Sequence, residues 1–137
     1  MSLADEQAEL VAALVAGGPL PAGFDASRVG AAREALLRKR SGEVAAVWPI
    51  LAASLSPQWT VVFTTWARDR PPGGALRDGW DLARHLSAEG RLSSAAADEL
   101  RARQAYWRYD GLRPPRRRRL AQLTGLLRHR HLTPRRN

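Results

Sequence analysis

The side chains able to do chemistry in this chain are few, and they do not gather into a recognisable catalytic set. There are no cysteines, which excludes disulfides, thiolate metal sites and cysteine nucleophiles. The three histidines are His85, His129 and His131. His129 and His131 lie two positions apart, on nearly opposite sides of any helix, so only an extended backbone would let them share a metal. His85 follows Asp81 by one turn and Asp78 by two, a conceivable Asp/His face, but catalytic iron or zinc usually needs more ligands converging. The carboxylates mostly have an arginine at helical pairing distance: Asp81 with Arg77 and Arg84, Asp98 with Arg101, Glu99 with Arg103. That pattern describes a solvated, self-paired surface. No Ser-His-Asp grouping, phosphate-cradling glycine loop or metalloprotease helix is present. The residues point to contact rather than catalysis, with no metal or cofactor held by this chain.

Arginine is the one chemical group in excess. Of 22 basic residues, all but Lys39 are arginine. Residues 1–112 hold thirteen basic and thirteen acidic side chains, which cancel; residues 113–137 hold nine arginines and no acid. The whole net charge of +9 therefore sits in the last stretch. A run such as Arg116, Arg117, Arg118 and Arg119 binds polyanions in a salt-dependent way. Residues 113–137 contain no aromatic side chain, so stacking on bases is not supported. A solvated tail, or one docking on an acidic partner protein, suits the charge at least as well.

The elements that must position these groups read as helices. Ser2 and Asp5 form a capping-box start, and Gly17-Gly18-Pro19 is a stop. Phe24 is expected to anchor the following loop. Asp25 or Ser27 caps a long second helix carrying Val29, Leu36, Leu37, Val44, Val47 and Trp48 at helical spacing. Pro49 should kink or divide that helix near Val47-Trp48. Ser56-Pro57 resembles a cap followed by a first-turn proline, and Trp59, Val62, Phe63 and Trp66 recur with helical spacing despite a β-branched neighbourhood. Pro71-Pro72-Gly73-Gly74 is a turn. Leu76, Trp80, Ala83 and Leu86 make the next apolar face, Gly90 ends it, and Ser93 or Ser94 opens a helix running towards Asp110-Gly111. Leu120, Leu123, Leu126 and Leu127 are compatible with a short amphipathic helix.

The expected fold is all-α: a compact bundle of about five helices over residues 1–112, with an arginine-rich extension over 113–137. Most of the five tryptophans belong in its core, with Trp80 and Trp107 showing an edge. Neither a signal peptide nor a membrane-spanning run is visible, so the expected setting is the cytoplasm.

The order of these motifs resembles the helical N-terminal domain of the HvfC/BufC family, over roughly residues 28–110. Leu37-Arg38-Lys39-Arg40 stands where the family has an arginine-bearing segment, and Trp48-Pro49 for its aromatic-Pro pair. Trp59–Trp66, Pro71-Pro72, Leu76-Arg77-Asp78-Gly79-Trp80 and Asp98–Trp107 follow in the family's order. The resemblance implies a non-catalytic partner subunit of a multinuclear non-haem iron enzyme that modifies ribosomally made peptides, a role like that of MbnC. The iron is then expected in the partner enzyme, and the precursor peptide as a further partner. The contacts it implies are Arg38, Arg40, Arg77, Trp80, Arg84, Trp107 and Arg108, taken as exposed arginine and aromatic groups. The family's longer members continue into a second domain, whose place is taken here by the basic tail. The rival expectation is a nucleic-acid-binding helical protein acting through that tail.

Overall fold

In a computed structural model, residues 2–17 and 25–119 are described. Among them are six helices and one small ribbon: α1 (Leu3–Ala16), α2 (Ala26–Val47), α3 (Pro49–Leu55), α4 (Trp59–Ala67), α5 (Ala75–Ala88), α6 (Ser94–Tyr106), β1 (Trp107–Arg108) and β2 (Arg116–Arg117). The protein is all-α in class. Phe24, the leucines from Leu120 to Leu127, and His129 and His131 lie outside the described residues.

Local chemistry explains most helix ends. Ser2 and Asp5 close a reciprocal capping box, and Gly17 ends α1 in the left-handed region at φ 67°. The Asp25 carboxylate accepts from the backbone N–H groups of Ser27 and Arg28, and Ser93 caps α6 through the N–H of Ala96. The expected start at Ser56-Pro57 is displaced. That peptide bond is cis, and α4 begins only at Trp59. Ser56 N–H donates to the Ala53 carbonyl, so Ser56 finishes α3, and the N-cap position of α4 falls to Gln58, which gives it no side-chain cap.

Pro49 divides the long second helix, as its missing N–H requires. Trp48 stands between α2 and α3 with φ −120° and ψ 63° and offers no side-chain cap to either. Helix α6 makes good the deficit from across the core. The Glu99 carboxylate accepts from Ile50 N–H at 3.2 Å and Leu51 N–H at 2.7 Å, first-turn donors of α3 with no partner inside the helix. One turn on, Arg103 donates to the Val47 carbonyl at the end of α2, and its guanidinium lies 5.5 Å from the Trp48 ring. Glu99 is buried. It therefore departs from the solvated Glu99–Arg103 pair expected from spacing, because both side chains are engaged by the backbone of another helix.

Trp48 is wholly buried and donates its indole N–H to the Leu76 carbonyl at 3.1 Å. Its ring lies against bare backbone at Gly79, where a Cβ would come within 2.2 Å of the indole. A mid-helix glycine costs about 1 kcal/mol relative to alanine; here it permits the indole to lie directly against the helix backbone. Trp80 packs edge-on to Trp48 at 6.1 Å, and Phe63 bridges Trp59 at 5.6 Å and Trp66 at 5.9 Å. Leu51, Leu82 and Leu86 fill the space between.

Helix α6 stops at Tyr106, short of Asp110-Gly111. Trp107 turns to extended geometry and β1 pairs antiparallel with β2, Trp107 opposite Arg117 and Arg108 opposite Arg116. The start of the basic extension is thus hydrogen-bonded to the body.

Replacing Glu99 with alanine strands two α3 N–H groups and is expected to lower unfolding free energy by about 2–3 kcal/mol in urea denaturation. The double variant with Arg103→Ala should lose less than the sum of the singles, since both act on one helix junction.

Candidate functional site: an arginine ribbon clamped to the fifth helix

The ribbon is fixed by a residue the sequence reading passed over, Tyr109. Its side chain is buried, its ring packs edge-on to Trp80 at 5.3 Å, and its hydroxyl donates to Asp81 Oδ1 at 2.7 Å. Arg77 Nε donates to the same hydroxyl at 3.0 Å, and Arg77 Nη2 reaches the Leu112 carbonyl at 3.3 Å. Arg84 Nη2 donates to the Tyr109 carbonyl at 2.8 Å, with its guanidinium 5.0 Å from the phenol ring. The α5 residues at 77, 81 and 84 thus form a polar clamp around one aromatic. Burial pushes the Tyr109 phenol above its ordinary value, and its hydrogen bond to Asp81 adds to this.

Beyond Tyr109 the chain reverses. Asp110 accepts from the backbone N–H groups of Leu112 at 2.8 Å and Arg113 at 2.9 Å, and Gly111 takes φ 86°, a conformation side chains resist. The bond from Arg113 N–H, then that from Leu112, holds the Asp110 carboxyl below its usual range. Arg118 N–H donates to the Tyr106 carbonyl, and Arg118 Nε to that of Trp107. Arg117 lies 5.5 Å from the Trp107 ring.

Two cavities open on this ribbon. One, of about 280 Å³, is lined by Arg108, Tyr109, Asp110, Arg113, Pro114 and Arg116. The other, of about 340 Å³, is lined by Arg108 and Arg116–Arg119. Among the described residues, none of these arginines is within ion-pair distance of a carboxylate. Elsewhere the pairing is dense: Arg68 with Glu34, Arg101 with Asp98, Arg91 with Glu89. The unneutralised positive charge of the described chain is concentrated here.

Of the residues singled out from sequence, the structure gathers Arg77, Trp80, Arg84, Trp107, Arg108 and Arg116–Arg119 at this end. Their parts differ from expectation. Trp80 is only 1% exposed and shows no edge; it supports Tyr109 from beneath, and Trp66 joins Trp107 as a half-buried indole in its place. Arg77 and Arg84 spend their donors on the 109–112 turn. Arg108 and the tail arginines are exposed.

Arg38 and Arg40 lie elsewhere, on α2. Arg38 is exposed. Arg40 is buried and is no surface contact: it pairs with Asp78 at 3.2 Å and donates to the Arg70 carbonyl at 3.0 Å. Asp78 also accepts from Gly73 N–H at 3.0 Å, so the pair ties α2 to the Pro71–Gly74 turn and α5. The conceivable metal face dissolves in the same geometry. Asp78 faces Arg40, Asp81 faces Tyr109, and His85 lies 3.3 Å from Glu89. Among the described residues no three His, Asp or Glu side chains converge as a metal site.

An all-helical unit ending in a clamped basic ribbon is the class that fold and site define. Residues 4–88 match the family described as SCO6045-like, C-terminal domain, and the chain belongs to it. It is also 42% identical over 122 residues to a UPF0276 protein of Streptomyces avermitilis. That match covers 88% of this chain but 25% of the relative, so the chain spans about a quarter of that protein's length. No solved structure matches. Among the described residues, no helix is long and apolar enough to cross a membrane.

Two outcomes follow from these assignments. Tyr109 should ionise above the ordinary phenol value of about 10, and Tyr109→Phe should remove that late step from a 295 nm absorbance titration. Because the folded value is the raised one, the stabilisation it reports is complete below the unfolded value and fades as pH climbs through the folded one. Arg40→Ala leaves Asp78 buried without its cation and should cost about 3–5 kcal/mol in thermal or urea unfolding.

Proposed function

We propose that this domain is a non-catalytic partner module, which docks on a larger enzyme and helps it engage a peptide substrate. The observation that carries the reading is the architecture of the UPF0276 relative, in which a segment similar to this chain is joined to three times its own length of other polypeptide. Covalent linkage to that larger portion in the relative supports contact between a domain of this kind and such a portion. Within this chain, Asp78, Asp81, Glu89, Glu99 and His85 are engaged by arginines, Tyr109, backbone N–H groups or each other, which suits a contact role.

The resemblance drawn from motif order sharpens the proposal. The larger enzyme would be a multinuclear iron-dependent catalyst acting on a ribosomally made precursor peptide, and the iron would belong to that enzyme. The docking face would centre on the half-buried Trp107, with Arg77 and Arg84 holding the 109–112 turn behind it and Arg38 exposed apart on α2. Trp80 and Arg40 serve folding and are poor probes of docking.

The test is to co-express this chain with the part of the Streptomyces avermitilis relative that lies outside the match, then run size exclusion. Co-elution in a defined ratio is expected, with the complex weakened by Trp107→Ala and kept when residues 113–137 are removed. Separate elution of two folded proteins would overturn the reading. The clustering of unpaired arginines favours a second reading, nucleic-acid binding through the ribbon. It would instead give a nucleic acid that co-purifies, with affinity falling steeply in salt and lost on that truncation.

A further inference from the structure

We infer that the paired cavities on the ribbon form a recognition site for an acidic peptide segment, with Arg108, Arg113 and Arg116 as its carboxylate-binding groups. The inference deepens the partner-module reading, since it supplies the chemistry by which the peptide would be held.

Three features carry it. The first is fixation. An arginine on a free tail loses much side-chain and backbone entropy on binding, but Arg108 and Arg116 face each other across an antiparallel pair anchored by Tyr109. Arg113 is set by the Asp110 turn. The second is uncompensated charge. The carboxylate in the smaller cavity, Asp110, is occupied by two backbone N–H groups, which leaves the guanidinium donors for a ligand. Planar guanidinium forks bind carboxylates in pairs of parallel hydrogen bonds. Arg108 and Arg116 line both cavities, so consecutive acidic side chains can be received side by side.

The third feature separates a peptide from a nucleic acid. Single-stranded binding draws on open aromatic faces for base stacking. Here the Trp107 ring carries Arg117, the Tyr109 ring is buried among Trp80, Arg77 and Arg84, and the exposed Tyr106 lines neither cavity. A cavity of about 280 Å³ takes a carboxylate side chain or two.

Fluorescence anisotropy on the full chain, with a labelled hexapeptide of alternating Asp and Glu, tests this. Binding is expected at low salt, and Arg108→Glu or Arg116→Glu should each weaken it about tenfold or more. The conservative Arg116→Lys should keep part of the affinity, whereas Arg28→Glu, at the far end of α2, should leave it unchanged. Equal loss from Arg28→Glu would reduce the effect to general charge and overturn the site. So would an unlabelled oligothymidine that displaces the peptide at tenfold lower concentration, or an unchanged affinity in both ribbon variants with intact circular dichroism. Size exclusion of the unsubstituted chain with the remainder of the Streptomyces avermitilis relative keeps the two proposals apart: a complex that forms while the hexapeptide fails to bind sinks the site alone.

Discussion

The fold turns on a junction that sequence forces and a distant helix repairs. Proline at position 49 breaks the helix that began at Ala26, leaving carbonyls on one side and N–H groups on the other inside an apolar core. Buried backbone groups without partners are strongly disfavoured. Glu99 and Arg103, one turn apart on α6, satisfy the two sides with opposite charges. That arrangement fixes where α6 lies against α2 and α3, and with it the direction in which the chain leaves the core at Trp107. The indole of Trp48 sits at the break, clasped between Arg103 and the glycine backbone of α5.

The same logic carries outward to the surface. Trp48 supports Trp80, Trp80 supports Tyr109, and Tyr109 holds the turn from which the ribbon springs. Polar groups accompany the two ends of this column: the Leu76 carbonyl for Trp48, Asp81 and Arg77 for Tyr109, Arg84 for the backbone. A continuous column of aromatic rings thus connects the helix break to the arginines that face solvent. It also explains why residues picked from sequence as surface contacts belong to two populations. Arg77 and Arg84 are fasteners, while Arg108 and Arg116 are presented by what they fasten.

What could be read without coordinates was what depends on local chemistry. The capping box at Ser2, the Asp25 cap, the division at Pro49 and the helical spacing of Trp59, Phe63 and Trp66 all rest on neighbours within a few positions. What escaped depends on contacts between distant segments. Glu99 and Arg103 look like a surface pair by spacing, and only the broken helix opposite reveals their use. Arg40 sits among charged neighbours that suggest solvent, yet its partner is 38 positions away. Trp80, flanked by polar residues, is buried because Tyr109 returns to cover it. The ribbon had no strand signal at all: two residues against two, created by the Asp110 turn and not by propensity. Tyr109 itself stood one residue before a clear turn signal, and an aromatic there was the clue available.

Because the positive excess begins at the ribbon while the rest of the body is balanced, the molecule behaves as an electric dipole. In the field of an acidic surface it experiences a torque as well as a pull, and it rotates arginine-end first before any atoms meet. Within a screening distance of about 8 Å at physiological ionic strength, such pre-alignment shortens the rotational search that limits most encounters. The rigid attachment through Tyr109 makes the orientation transferable: whatever the ribbon meets first, α5 and α6 arrive at a fixed angle behind it.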